Sequence, residues 1–123
     1  MRMIFVAAAL ALLPLSARAA EWQPLPPEEY AFQAVNLADM SLTLDIKNHR
    51  DMQEANPMLG QHPSDAAVFG YKLGAGALHA VVTELLLQHG ASKRVMRIWE
   101  WTSIGVEGAA VGNNLSLGLH CQF

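Results

Sequence analysis

Polar side chains recur at helical spacing inside three otherwise apolar stretches of this chain. In the first, Gln33, Asn36, Asp39 and Thr43 follow one another every three or four positions, which places them on one face of a helix. In the second, Lys72 and His79 stand seven apart and Thr83 follows four later. In the third, Glu100, Glu107 and Asn114 are spaced by seven, with Ser103 between the first two. Each stretch pairs a polar seam with broad apolar flanks. No run of alternating apolar and polar residues argues for a strand, so the pattern predicts an all-α fold, a small bundle of three helices.

Local signals set the bounds. Pro24, Pro26 and Pro27 make residues 20–27 an extended tether. Pro27 suits a first helical turn, and Glu28 and Glu29 favour the positive end of the helix dipole, so the first helix is expected over about residues 28–47. Residues 48–64 form a loop rich in turn formers, including Asn56-Pro57, Leu59-Gly60 and His62-Pro63. Within it, Asn56 is placed to fold its amide onto the backbone, and Glu54 to cap or to pair with Lys47, Arg50 or Lys72. Ser64 is the expected N-cap of a second helix that runs to about His89 and stops at Gly90. The third helix is expected from near Ser92 to about Leu117. The bundle thus occupies residues 28–118, and residues 119–123 are a tail.

Length and hydropathy suggest a bilayer as the surrounding medium. Residues 66–87 are apolar or small except for Tyr71, Lys72, His79, Thr83 and Glu84, a length that matches a hydrocarbon core of about 30 Å. Residues 95–117 are long enough but carry Arg97, Glu100, Glu107, Asn113 and Asn114. The first helix carries Asp39 and Asp45, each costing about 3 kcal/mol at the centre of a lone span. It therefore enters only with partners, or lies along the interface. In lipid, polar seams turn inward and satisfy one another; Asp39, Lys72, His79, Glu100 and Glu107 on facing seams would pair the acids with Lys72 and a protonated His79. Gly70 and Gly74, and Gly108 and Gly112, are four apart with Gly105 and Ala109 nearby, ridges of the kind that let membrane helices approach closely. Trp99 and Trp101, beside Arg97, read either as a membrane–water boundary or as core packing.

Composition agrees. Apolar residues make up 52% and charged residues 15%, against roughly 45–50% and 25% in ordinary globular chains. The N-terminus supplies a basic start at Arg2, an apolar run over residues 4–15 broken by Pro14, and Ala17-Arg18-Ala19, a small-x-small cleavage pattern. Residues 1–19 are thus read as a cleaved signal peptide, which directs the chain to the cell envelope and, with its apolar helices, into the inner membrane. Cleavage leaves six basic and eleven acidic side chains, a net charge of −5. Without a basic block, nucleic acid is excluded as a partner. Cys121 is the single cysteine, so neither an internal disulfide nor a cysteine-rich zinc site is available.

Chemistry-bearing residues are few. His79 with Glu84, Glu107 or Asp39 offers imidazole and carboxylate of the kind that zinc, manganese or iron accept, but no His-x-x-x-His or Glu-x-x-His pair fixes two ligands on one helical face. No serine sits in a nucleophile-elbow setting. The residues are read as a hydrogen-bonded polar core, with no cofactor or metal expected. The candidate functional cluster is Asp39, Thr43, Glu54, Asn56, Lys72, His79, Glu107 and Asn114.

Thr43-Leu44-Asp45-Ile46, followed by Glu54-Ala55-Asn56-Pro57-Met58-Leu59-Gly60-Gln61-His62-Pro63-Ser64, resembles a family of small signal-bearing helical membrane proteins of bacteria and their phages or prophages. In these, an Asp-x-x-x-Thr-x-Asp-Ile helix leads into a Glu-x-Asn-Pro-x-Leu-Gly-x-His-Pro-Ser loop, and Asp39 fits the pattern. His79, Ile104-Gly105-Val106-Glu107 and Asn113 or Asn114 look like later landmarks, so the likeness covers most of the mature chain. It implies a membrane fold and brings no activity. The leading expectation is a non-enzymatic envelope or interaction protein with membrane lipid and a membrane-protein partner or a second copy as its contacts. One alternative is a small membrane enzyme or metal-binding protein using Asp39, Glu54, His79 and Glu107. The other, motivated by the resemblance, is a phage-linked envelope-remodelling or lysis accessory.

Overall fold

The structure, a computed structural model, describes residues 23–122; the expected signal peptide lies outside them. The described residues form three α-helices and a 3-10 turn, with no strand: α1 Pro27–Asp45, the turn Ile46–Asn48, α2 Asp65–Gln88 and α3 Lys93–Ser116.

The local signals act as their chemistry dictates. Pro26 is extended at the start of α1, Pro27 opens the first turn, and Glu28 and Glu29 follow. Ser64 Oγ accepts from the Ala67 N–H at the start of α2, and Ser92 Oγ from the Val95 N–H at the start of α3. Gly90 (φ +69°) and Gly118 (φ +85°) adopt left-handed backbone just past the ends of α2 and α3, the conformation that closes a helix at least cost in glycine. α1 ends at Asp45, slightly earlier than expected, because the chain tightens into the 3-10 turn before the loop.

The helices run up, down and up. α1 is the central element and packs along both others, whereas α2 and α3 make little direct backbone contact beyond their short connection. Met40 and Leu44 of α1 meet Val68 of α2, and Leu42 and Ile46 meet Leu119 behind α3. Gly76 is where α1 and α2 approach most tightly: a Cβ there would fall 2.6 Å from Gln33 Oε1 and 3.0 Å from Asn36 Nδ2.

What fills the interior is unusual for a protein in water. The described residues bury seven apolar side chains and eleven polar or charged ones, the reverse of an ordinary core. Meanwhile Phe69, Leu73, Leu78 and Val81 of α2 and Val95, Ile98, Trp101 and Val106 of α3 face outward. By length and composition, α2 is able to cross a membrane.

The glycine ridges do not join the three helices to each other. Gly70 and Gly74, and Gly105, Gly108 and Gly112, have open space where a Cβ would stand. They lie on the outside, and polar side chains hold the bundle together.

Candidate functional site

The interior divides into two polar clusters with a third at one end. The middle cluster centres on Lys72, whose ammonium contacts Asp39 of α1 and lies 3.0 Å from Glu107 Oε2 of α3. Asp39 Oδ1 also accepts from Asn114 Nδ2 at 2.9 Å. Asn36 Nδ2 donates to the Lys72 carbonyl at 2.9 Å, bracing the same level of α2. One cation between two acids on two helices ties all three helices at mid-height.

Above this cluster the loop closes a cavity of about 470 Å³, lined by Asp39, Glu54, Asn56, Lys72, Glu107 and Asn114 among others. The loop is held by its own hydrogen bonds. The Glu54 N–H donates to the Gln61 carbonyl at 2.9 Å, Glu54 Oε1 accepts the Asn56 N–H at 2.7 Å, and Asn56 Oδ1 accepts the Met58 N–H at 2.9 Å. The last contact is the Asx turn expected of Asn56. Glu54 does not pair with Lys47, Arg50 or Lys72; it caps the turn, and Lys47 pairs with Asp65 at 2.6 Å.

The second cluster lies toward the N-terminal end of α1. The His79 ring is stacked between Phe32, centroids 3.7 Å apart, and Trp99, 4.5 Å apart. Its Nδ1 lies 2.8 Å from Glu29 Oε2, so the Nδ1–H tautomer donates to that carboxylate. Thr83 Oγ1 donates to the same oxygen at 2.6 Å, accepts from Trp99 Nε1 at 2.9 Å, and lies 3.1 Å from Glu100 Oε1. Glu29, His79, Thr83 and Glu100 are all buried. His79 Nε2 and Glu100 Oε2 are buried without a partner.

At the loop end of the bundle, Asp45 gathers four donors: Asn48 Nδ2, His49 Nε2, the His120 N–H and Gln122 Nε2, at 2.8–3.1 Å. The Gln122 N–H donates to Ser41 Oγ at 2.6 Å, so the tail folds back along α1.

The structure thus places six of the eight candidates—Asp39, Glu54, Asn56, Lys72, Glu107 and Asn114—around one cavity. Thr43 is buried in α1, and His79 makes its hydrogen bond in the other cluster. The partner that sequence reasoning missed is Glu29, assigned there only to the helix dipole. Its register was visible, because Glu29 precedes Gln33 by four positions and so continues the polar seam of α1 by one turn. Of the two readings of the tryptophans, Trp99 takes core packing. Its indole turns inward onto His79 and Thr83, whereas Trp101 is 60% exposed.

Comparison with protein families, with curated proteins and with solved structures finds no match to this chain.

Proposed function

We propose that this chain is an exported integral membrane protein of the cell envelope, a three-helix bundle whose polar interior holds its fold and whose apolar exterior meets lipid and another membrane protein. On this reading it is a non-enzymatic interaction protein, and all three helices lie within the bilayer. The observation that carries it is the inverted distribution of side chains: Lys72, His79, Thr83, Glu84 and Glu100 inside, Phe69, Leu73, Leu78, Ile98 and Val106 outside. In water so many exposed large apolar side chains over a polar interior would invert the usual arrangement. In lipid that exterior is the solvated surface, and the buried charges are the groups that must find partners.

Dimensions fit. α2 and α3 each have 24 residues, a length of about 36 Å at 1.5 Å per residue, enough to cross a core of about 30 Å with some tilt. α1, with 19 residues, reaches about 28 Å; its acids are sheltered by the helices on either side, which removes the cost a lone span would bear. The polar groups of the middle cluster answer one another, as expected of a structural interior, and the outward glycine ridges offer a close-approach surface to a neighbouring helix.

The test is membrane partition of the full chain expressed in bacteria. The protein is expected to stay in the pellet after alkaline carbonate washing and to need detergent for extraction. Recovery in the carbonate supernatant would contradict integral insertion. Asp39→Asn and Glu107→Gln are expected to lower the yield of folded, detergent-extracted protein; full folded yield with loss of a measured turnover would point to an enzyme instead.

A further inference from the structure

We propose that Glu29, His79 and Glu100 form a binding site for one divalent transition-metal ion, with each helix contributing one ligand. The three residues offer ligand atoms that all lie within 4.8 Å of one another, and all three are buried. The donor set, one imidazole nitrogen and two carboxylate oxygens, is the mixture that zinc, manganese and ferrous iron accept; magnesium and calcium prefer oxygen alone.

Two independent features of the cluster point to a missing cation. The first is the pair of orphaned atoms. His79 is 6% exposed and Glu100 is 2% exposed, yet His79 Nε2 and Glu100 Oε2 have no hydrogen-bond partner, a condition that buried polar groups rarely tolerate. The second is proton supply. Thr83 has one hydroxyl proton, but Glu29 Oε2 and Glu100 Oε1 both lie within hydrogen-bond distance of its oxygen, and its lone pairs also receive Trp99 Nε1. With both acids ionised, one carboxylate oxygen faces the hydroxyl without a proton of its own.

A divalent cation answers the second feature and gives the orphaned Glu100 oxygen a partner. Two carboxylates and a neutral imidazole carry a charge of −2 between them, which one such ion neutralises, and none of the described ion pairs brings a lysine or arginine to these acids. His79 Nδ1 and Glu29 Oε2 are 2.8 Å apart; an ion ligated by both displaces the Nδ1 proton, and the vacant Nε2 takes that proton up. The stacked Phe32 and Trp99 rings fix the imidazole plane, and Gln33 Nε2, donating to Glu29 Oε1 at 2.6 Å, orients that carboxylate. Such outer contacts commonly set the geometry and affinity of metal ligands. The site does not depend on the membrane reading, since the three residues converge through contacts within the chain.

The experiment is a titration of chelator-treated, detergent-solubilised full chain with Co²⁺, Zn²⁺ and Mn²⁺. One equivalent of Co²⁺ is expected to bind with visible d–d absorption, to quench Trp99 fluorescence, and to be displaced by Zn²⁺. Glu100→Gln and His79→Gln should lose binding, and Glu107→Gln, in the other cluster, should keep it. Folded wild-type protein that takes up none of the three metals would overturn the proposal, and so would Glu100→Gln protein that binds like the wild type. In the metal-free case a proton shared by the two acids is what occupies the site.

Discussion

Lys72 is the side chain on which most of the interior electrostatics converge, because one ammonium stands between the carboxylates of Asp39 and Glu107. Removing the cation alone leaves two acids facing each other out of water. Breaking a buried pair in this way costs about 3–5 kcal/mol, so Lys72→Met is expected to lower the unfolding midpoint of the detergent-solubilised protein sharply. The triple variant Asp39→Asn, Lys72→Met, Glu107→Gln should recover much of the loss, because no charge is left without a partner. A single variant as stable as the wild type would remove the middle cluster from the account. Asp45 makes a separate prediction at the loop end. Its carboxylate accepts the His120 N–H and the Gln122 side-chain amide, which tie the tail to α1. Asp45→Asn should therefore speed hydrogen exchange at the His120 and Gln122 amides, while the middle of α1 stays protected.

Among the elements, α1 decides the architecture, lying close against both neighbours while the backbones of α2 and α3 stay apart and meet through side chains. Its closest approach is at Gly76, where a side chain meets Gln33 and Asn36; at Gly74 there is open space. Gly76→Val is expected to destabilise the bundle by about 1–3 kcal/mol through overpacking, and Gly74→Val to leave monomer stability nearly unchanged. Equal effects from the two substitutions, measured by denaturant unfolding in detergent, would contradict this packing. The same contrast shows what was legible in the sequence. Serine caps, prolines and terminal glycines punctuate helices through the local backbone, so the three helices were readable within a few residues. Spacing also gave the seams, because helical period is local. Which seam residue meets which was not readable, since it depends on the relative height and rotation of separate helices. Hence Lys72 was matched to acids, while the hydrogen-bond partner of His79, Glu29, was left at the helix dipole although it stood in register. The ridge glycines were seen, but not that they face away from the bundle.

At the scale of the molecule, the described residues bury more polar than apolar side chains and leave many large apolar ones of α2 and α3 on the outside. On the proposed membrane reading that exterior faces lipid, and the polar clusters, the length of α2 and α3 and the proposed envelope location belong to one account. The direct measurement uses single-cysteine variants in a Cys121→Ser background: Leu73→Cys, Leu78→Cys and Val106→Cys on the coat, and Asp51→Cys on the loop. Each is treated with a membrane-impermeant maleimide in membranes opened to both sides. All four positions are exposed in the fold, so shielding by the protein itself does not separate them. The account predicts that Asp51→Cys reacts readily and that the three coat positions react only after detergent or denaturant is added; coat cysteines labelled as fast as Asp51→Cys in intact bilayers would contradict it.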